Sequence, residues 1–310
     1  MDINILFIGG AKRVSIANHF KRTAAGMGHN VSIFSYELDE MVPIASVGTV
    51  IIGLKWKDPD LLPDLKRNIE KFKINIVLAF VDPAIQVISE LKELCSEVFI
   101  PVCDPELCSI LFDKILSAQW FAGHGIRQPD FYTTPDSIQY PVILKPRYGS
   151  ASKGTVICKS QNELPCADLS QYLISRYISD HTEYSVDCYV SRTGEVTSVV
   201  PRIRLETSGG ESVKSMTIKD ESIIRESHKI LESDDYRGPI TIQFIKDNTT
   251  GDTYVMEINP RLGGGVVTSI GAGSGIIKMI LDEYLGKTIK PFSGWRDNTI
   301  MARYFNEVIF

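Results

Sequence analysis

The 310-residue chain has no long apolar stretch. Its longest unbroken run is Ile76–Val81, far short of the roughly 20 residues that a membrane helix needs. It has no excess of positive charge, because 33 Lys and Arg stand against 38 Asp and Glu for a net charge of −5. A nucleic-acid footprint is therefore not expected. The six cysteines form no C-x-x-C pair and the five histidines no H-x-x-x-H pair, which argues against a zinc site. The cysteines lie in or beside apolar runs and read as buried, reduced thiols. No fixed-period repeat or low-complexity tract is visible. Met1–Asn4 runs straight into a strand-like segment with no basic or apolar leader, so the expectation is a cytoplasmic protein without membrane or nucleic-acid partners.

What is present is a globular composition, 44% hydrophobic and 23% charged, at a length suggesting about two structural units. Strand and helix signals alternate over the first hundred residues. Strands are predicted at Asn4–Ile8, Val31–Tyr36, Val47–Ile52, Ile74–Val81 and Val98–Val102. Helices fall up to about Met27, over Pro59–Lys73 and over Ala84–Cys95. This βαβ rhythm implies a parallel, doubly wound sheet. After a helix at Asp113–Ala122 the rhythm changes. Strands at Pro141–Pro146, Thr155–Lys159 and Tyr172–Ile178 precede a hairpin of Glu183–Ser191 and Glu195–Leu205. A helix at Ser222–Ser233, strands Ile240–Lys246 and Thr253–Asn259, and a helix at Ile276–Leu285 follow. The fold class is thus α/β followed by α+β, with a first boundary near residue 110.

Chemistry concentrates in two segments. In Tyr254–Arg261, Glu257 and Asn259 project from the same strand face, and two oxygen ligands on a rigid face suit Mg²⁺. A three-residue turn at Thr249–Gly251 would set residue 246 opposite 254 and Gln243 opposite Glu257, adding a third ligand. In Tyr140–Gly154, Lys145 interrupts an apolar run, so its ammonium needs an anionic partner. Gly149–Gly154 is small and flexible enough for backbone N–H groups to turn onto phosphate, although its spacing is not that of a P-loop. Arg202 and Arg204 share one strand face just before the open stretch Ser208–Ser212. They read either as a carboxylate clamp, with Gly210 beside it, or as a solvated face. Gly9-Gly10 and Glu37 give only a weak dinucleotide signal, since G-x-G-x-x-G is absent.

In their order, Asp113-Lys114, Pro141–Gly154, Leu173–Asp187, Gln243 and Glu257–Arg261 resemble the ATP-grasp superfamily. The resemblance is closest to a single ATP-binding half of carbamoyl phosphate synthase large subunits and related carboxylate–amine ligases. It implies a Rossmann-like N-terminal domain (1–110), followed by a two-lobed ATP-grasp domain with a small lobe (111–180) and a C-terminal lobe carrying the metal site (181–310). It also implies roles. Lys114 and Lys145 would contact phosphate, and Gly149, Ser150, Ser152 and Gly154 would belong to the loop over it. Arg176, Tyr177 and Ile178 would form the hinge that reads adenine, and Glu183 would accept from ribose hydroxyls. Gln243, Glu257 and Asn259 would hold Mg²⁺ (or Mn²⁺), with Arg261 and Lys145 steadying the transferred phosphoryl group. The implied reaction activates a small-molecule carboxylate with ATP for attack by an amine. A carbamate-phosphorylating subunit or a non-catalytic nucleotide-binding module are the alternatives, and a homodimer is compatible with either. The Arg261-Leu-Gly-Gly-Gly265 stretch departs from the Arg-Val-Ser-Arg of true carbamoyl phosphate synthases.

Overall fold

Apolar residues fill both faces of the first strand, β1 (Asp2–Ile8), as befits the interior of a sheet covered on both sides. Leu6 and Ile8 join one core while Ile3, Ile5 and Phe7 join another. The computed structural model describes residues 1–149, 153–166, 168–232 and 235–310. In it, β1 is followed by α1 (Val14–Gly26), β2 (Asn30–Glu37), β3 (Thr49–Ile52), α2 (Leu61–Lys71), β4 (Ile76–Ala79) and α3 (Asp82–Leu94). The sheet is parallel in the order β3-β2-β1-β4.

The fifth strand expected at Val98–Val102 does not form; Phe99 makes a single bridge to Ile76. Pro101 has no N–H to donate. Its carbonyl is also pressed against Gly238, where an added Cβ would lie 2.2 Å away. This segment therefore leaves the sheet to pack beneath the second half of the chain.

Two helices, α4 (Pro105–Phe112) and α5 (Lys114–Gly123), lead into a small antiparallel sheet. Asp113 caps α5 by accepting from the N–H groups of Ile115 and Leu116. The small sheet has the order β5-β8-β6-β7, from β5 (Phe131–Tyr132), β6 (Val142–Pro146), β7 (Val156–Cys158) and β8 (Tyr172–Arg176). The remainder builds a six-stranded antiparallel sheet from β9 (His181–Val190), β10 (Val196–Ser208), β11 (Glu211–Thr217), β12 (Gly238–Asp247), β13 (Thr253–Asn259) and β14 (Ile300–Ala302), in the order β13-β12-β9-β10-β11-β14. Helices α6 (Glu221–Leu231), α7 (Val266–Gly271) and α8 (Ile276–Tyr284) pack on it. Strand β10 runs further than the sequence suggested. Gly209 and Gly210, both at positive φ, turn it back into β11. One hydrophobic core runs from Leu6 and Ile8 to Ile242 and Ile258, so the parallel sheet and the large antiparallel sheet are packed as one body.

The β12–β13 hairpin differs from the expected turn. Its loop spans residues 248–252, the Asp247 N–H donates to the Asp252 carbonyl, and Lys246 stands opposite Thr253 rather than residue 254. A bulge at Met256 then absorbs the offset, so Gln243 does face Glu257.

Candidate active site

The small sheet and the six-stranded sheet enclose a cavity of about 170 Å³. Strand alternation delivers its walls. Val142 and Leu144 of β6 turn into the small lobe's own core, which leaves Ile143 and Lys145 on the cavity face. Met256, the bulged residue, and Phe244 line it from the large sheet. Burial pushes the Lys145 ammonium down to about 8, although Glu257 and Glu183 favour its charged form. Lys114 donates to the Gly149 carbonyl at 2.6 Å and borders the same space. Gly154, at positive φ, packs on Pro146. Ser150 and Ser152 lie outside the described residues.

At the junction of the lobes, the Tyr177 N–H donates to the Pro141 carbonyl, and the Ile178 carbonyl lies 2.6 Å from a ring nitrogen of His181. Arg176 and Arg127 each lie over the Tyr254 ring, at 5.2 and 4.9 Å from its centre. Glu183 faces the cavity, with one oxygen 2.8 Å from Nη1 of Arg204.

A second, more polar cavity of about 250 Å³ adjoins the first and shares Arg204, Gln243 and Glu257 with it. Gly263, Gly264 and Gly265 form part of its wall. Arg202 and Arg204 both reach it, but they are held differently. Arg202 is 2% exposed; its Nε and Nη2 donate to the two Asp187 oxygens at 2.8 and 3.4 Å, and Nη1 donates to Ser212. A Cβ at Gly265 would lie 2.5 Å from that Nη1, so only glycine admits this approach. Arg204 instead spans Glu183 and the Gly210 carbonyl, and its buried Nε has no partner.

Gln243 and Glu257 therefore stand side by side where the two cavities meet. Asn259, 5% exposed, opens into a small adjoining cavity with Glu257, Lys114 and Asp82, and its buried Nδ2 is unpartnered. Two amide side chains and one carboxylate, offering oxygen donors on adjacent strands, fit a hard cation that keeps several other positions for water and phosphate. Among the described residues no cluster of three His, Cys, Asp or Glu offers a competing metal site.

Sequence reasoning missed several residues here. Asp82 pairs with Arg261. Asp187 anchors Arg202. Arg13, just after the β1 turn, reaches Glu211 with contacts of 2.9 and 3.4 Å. Burial raises the Glu211 carboxyl, but the Arg13 hydrogen bond and the fields of Arg13 and Arg303 outweigh it and hold the carboxyl below its usual range. Two of these were within reach: Asp187 has the parity of Glu183 along β9, and Asp82 follows the carboxyl end of a parallel strand, where ligands of such sheets gather. The weak dinucleotide signal meets a filled turn. Glu37 takes the N–H groups of Gly10 and Ala11 and the Ser35 hydroxyl onto its own carboxylate.

A small antiparallel sheet closing on a larger one, with a cavity between them and a parallel sheet alongside, is the ATP-grasp fold. The chain has this fold and resembles a single ATP-binding half of carbamoyl phosphate synthase large chains and related carboxylate–amine ligases. Residues 168–304 match the family model described as ATP-grasp in the biosynthetic pathway with Ter operon. The chain is 25% identical over 289 residues to the D-alanine–D-alanine ligase of Rickettsia akari, covering 84% of this chain and 88% of that one. It is 26% identical over 215 residues to the C-terminal section of the carbamoyl phosphate synthase large chain of Methanopyrus kandleri, covering 60% of this chain but only 39% of that one. The biotin carboxylase–βγ-ATP complex from Campylobacter jejuni matches in fold with a TM-score of 0.77 at 18% identity, over 96% of this chain and 74% of that chain. Among the described residues no helix is long and apolar enough to cross a membrane.

Proposed function

We propose that this chain is an ATP- and Mg²⁺-dependent ligase that activates a small-molecule carboxylate for attack by an amine. The observation that carries the reading is the meeting of two cavities at Gln243 and Glu257. One is half apolar and flanked by Lys114 and Lys145, as suits a nucleotide. The other is polar and arginine-lined, as suits an anionic acceptor. In the nucleotide cavity, Ile143, Ile178 and Met256 take the adenine, with main-chain groups of Tyr177 and Ile178 at its edge and Arg176 at the hinge. Glu183 takes ribose hydroxyls. Lys114 and Lys145 meet the phosphates beside Gly149.

Gln243, Glu257 and Asn259 would hold Mg²⁺, which supplies charge neutralisation on the phosphates. Arg261 and Lys145 offset the negative charge of the γ-phosphoryl group as it moves. The acceptor carboxylate, held by Arg204 near Gly210, attacks the γ-phosphorus. The bond to the bridging oxygen breaks, releasing ADP and an acyl phosphate. The amine then attacks the acyl carbon, phosphate leaves, and the amine gives up a proton. Closure of the small lobe excludes water from that reactive intermediate. The six cysteines are free, five of them buried, which suits a reducing cytoplasm.

The test is a screen of acid–amine pairs for ADP release with Mg·ATP, followed by mass spectrometry of the product. Release that needs both an acid and an amine is expected. Failure of both Mg·ATP and Mg·ADP to raise the melting temperature would overturn the reading.

A further inference from the structure

Arg261 leaves β13 immediately after Pro260 and lines the acceptor cavity. Its guanidinium is held from the parallel-sheet half of the molecule. Nε and Nη2 both lie on a single oxygen of Asp82, at 2.7 and 2.5 Å, and Nη1 donates to the Leu262 carbonyl. Asp82 is the first residue of α3, just beyond the carboxyl end of β4, and 179 residues separate the pair in sequence. Both side chains are largely buried, at 12% and 14% exposure. Asp82 also borders the small cavity shared by Glu257, Asn259 and Lys114.

A guanidinium on a flexible stem must be ordered before it can act on developing charge, and one ordered in advance needs no reorganisation at the moment of transfer. A carboxylate gripping one edge of the fork supplies that order, with Nη1 held at 3.4 Å by the Leu262 carbonyl and the guanidinium on the wall of the acceptor cavity. We propose that Asp82 is the positioning residue for Arg261, fixing its guanidinium toward the γ-phosphoryl group. On this view the N-terminal half takes part in phosphoryl transfer through a side chain that need not touch the nucleotide. The inference rests on the ligase reading above.

The test needs no acceptor. The affinities of the full-length protein for Mg·ADP and for the magnesium complex of the β,γ-imido analogue of ATP are compared by calorimetry in wild type, Asp82→Ala, Asp82→Asn and Asp82→Glu. A positioning role concerns only the γ-phosphate. Asp82→Ala should weaken the imido analogue about tenfold, the loss expected for one disturbed charge-assisted contact, and leave Mg·ADP within about twofold. Asp82→Glu should restore most of the difference. A purely structural tie would lower the melting temperature and change both affinities alike or neither, and that result overturns the proposal. If Asp82→Ala does not fold, the near-isosteric Asp82→Asn gives the same comparison. Wild-type protein that binds neither nucleotide overturns the ligase reading itself and this proposal with it.

Discussion

Glu183 and Arg204 form an ion pair that crosses the boundary between the two cavities, with Arg204 Nη1 2.8 Å from Glu183 Oε2. The carboxylate proposed to take the ribose and the guanidinium proposed to take the acceptor are thus each other's partners in the free protein. A nucleotide that draws Glu183 onto its ribose releases one edge of Arg204 for the acceptor, so the two ligands should favour each other's binding.

The pair gives the first prediction. Glu183→Gln keeps the shape but removes the charge. Affinity for Mg·ADP should fall by about tenfold, in line with the loss of charge-assisted hydrogen bonds. Arg204→Met should leave Mg·ADP affinity near normal while acid-dependent ADP release drops by about one to two powers of ten. Calorimetry and a coupled ADP assay read the two effects separately. Full acid-dependent turnover in Arg204→Met would remove this residue from the acceptor site.

Arg202 should behave differently, because its fork is already committed to Asp187. Arg202→Met strands a buried carboxylate, and breaking such a pair costs about 3–5 kcal/mol. A urea melt should therefore show a large loss of stability. Arg202→Met combined with Asp187→Asn should recover part of it, because the stranded charge is gone. Gly265→Ala should be destabilising as well, by about 1–3 kcal/mol, since the new methyl must displace the Arg202 guanidinium. A wild-type melting curve for Arg202→Met would contradict the buried-pair account.

The proposed metal face predicts a graded response. Glu257→Gln would remove the proposed charged ligand and should abolish activity at limiting Mg²⁺ while the fold survives. Gln243→Ala would remove the proposed neutral ligand and should shift the Mg²⁺ requirement upward by less. Titration of ADP release against Mg²⁺ distinguishes them. Turnover in Glu257→Gln that matches wild type at low Mg²⁺ would exclude this residue as a ligand.

Lys145 predicts a pH dependence with two opposite signs. Its folded-state value of about 8 lies below the usual 10.5. Below pH 8 the ammonium is charged and available to phosphate, so Mg·ADP affinity should weaken as pH rises through 8. Stability runs the other way for this group. Between about 8 and 10.5 the unfolded chain holds the proton and the folded chain does not, so the Lys145 contribution becomes less unfavourable as pH rises across that window. Lys145→Met should flatten the pH dependence of binding, as measured by calorimetry from pH 7 to 9.5. A wild-type slope retained in Lys145→Met would assign the titration to another group.

Much of this architecture was legible along the chain. The apolar run of β1, expected at Asn4–Ile8 and found at Asp2–Ile8, and the strand–helix alternation around it follow from backbone geometry acting over a few residues. The glycines at 209 and 210 carried the sharp turn into β11 in plain view, but the strand beyond it is polar in part and reads as loop. The Gln243–Glu257 pairing shows the limit of local reasoning. It was expected from a three-residue turn and instead arises from a five-residue loop offset by a bulge at Met256.

Lys145 showed its need for an anionic partner in the sequence, because it interrupts an apolar run. Which partner a buried charge takes was decided only in three dimensions. Arg202 finds Asp187 across an antiparallel pair, Arg13 finds Glu211 at a separation of 198 residues, and Arg261 finds Asp82 at 179. Local periodicity depends on bond geometry that each residue carries with it. The pairing of distant charges depends on how sheets stack and loops return, and that is settled by packing the whole core at once.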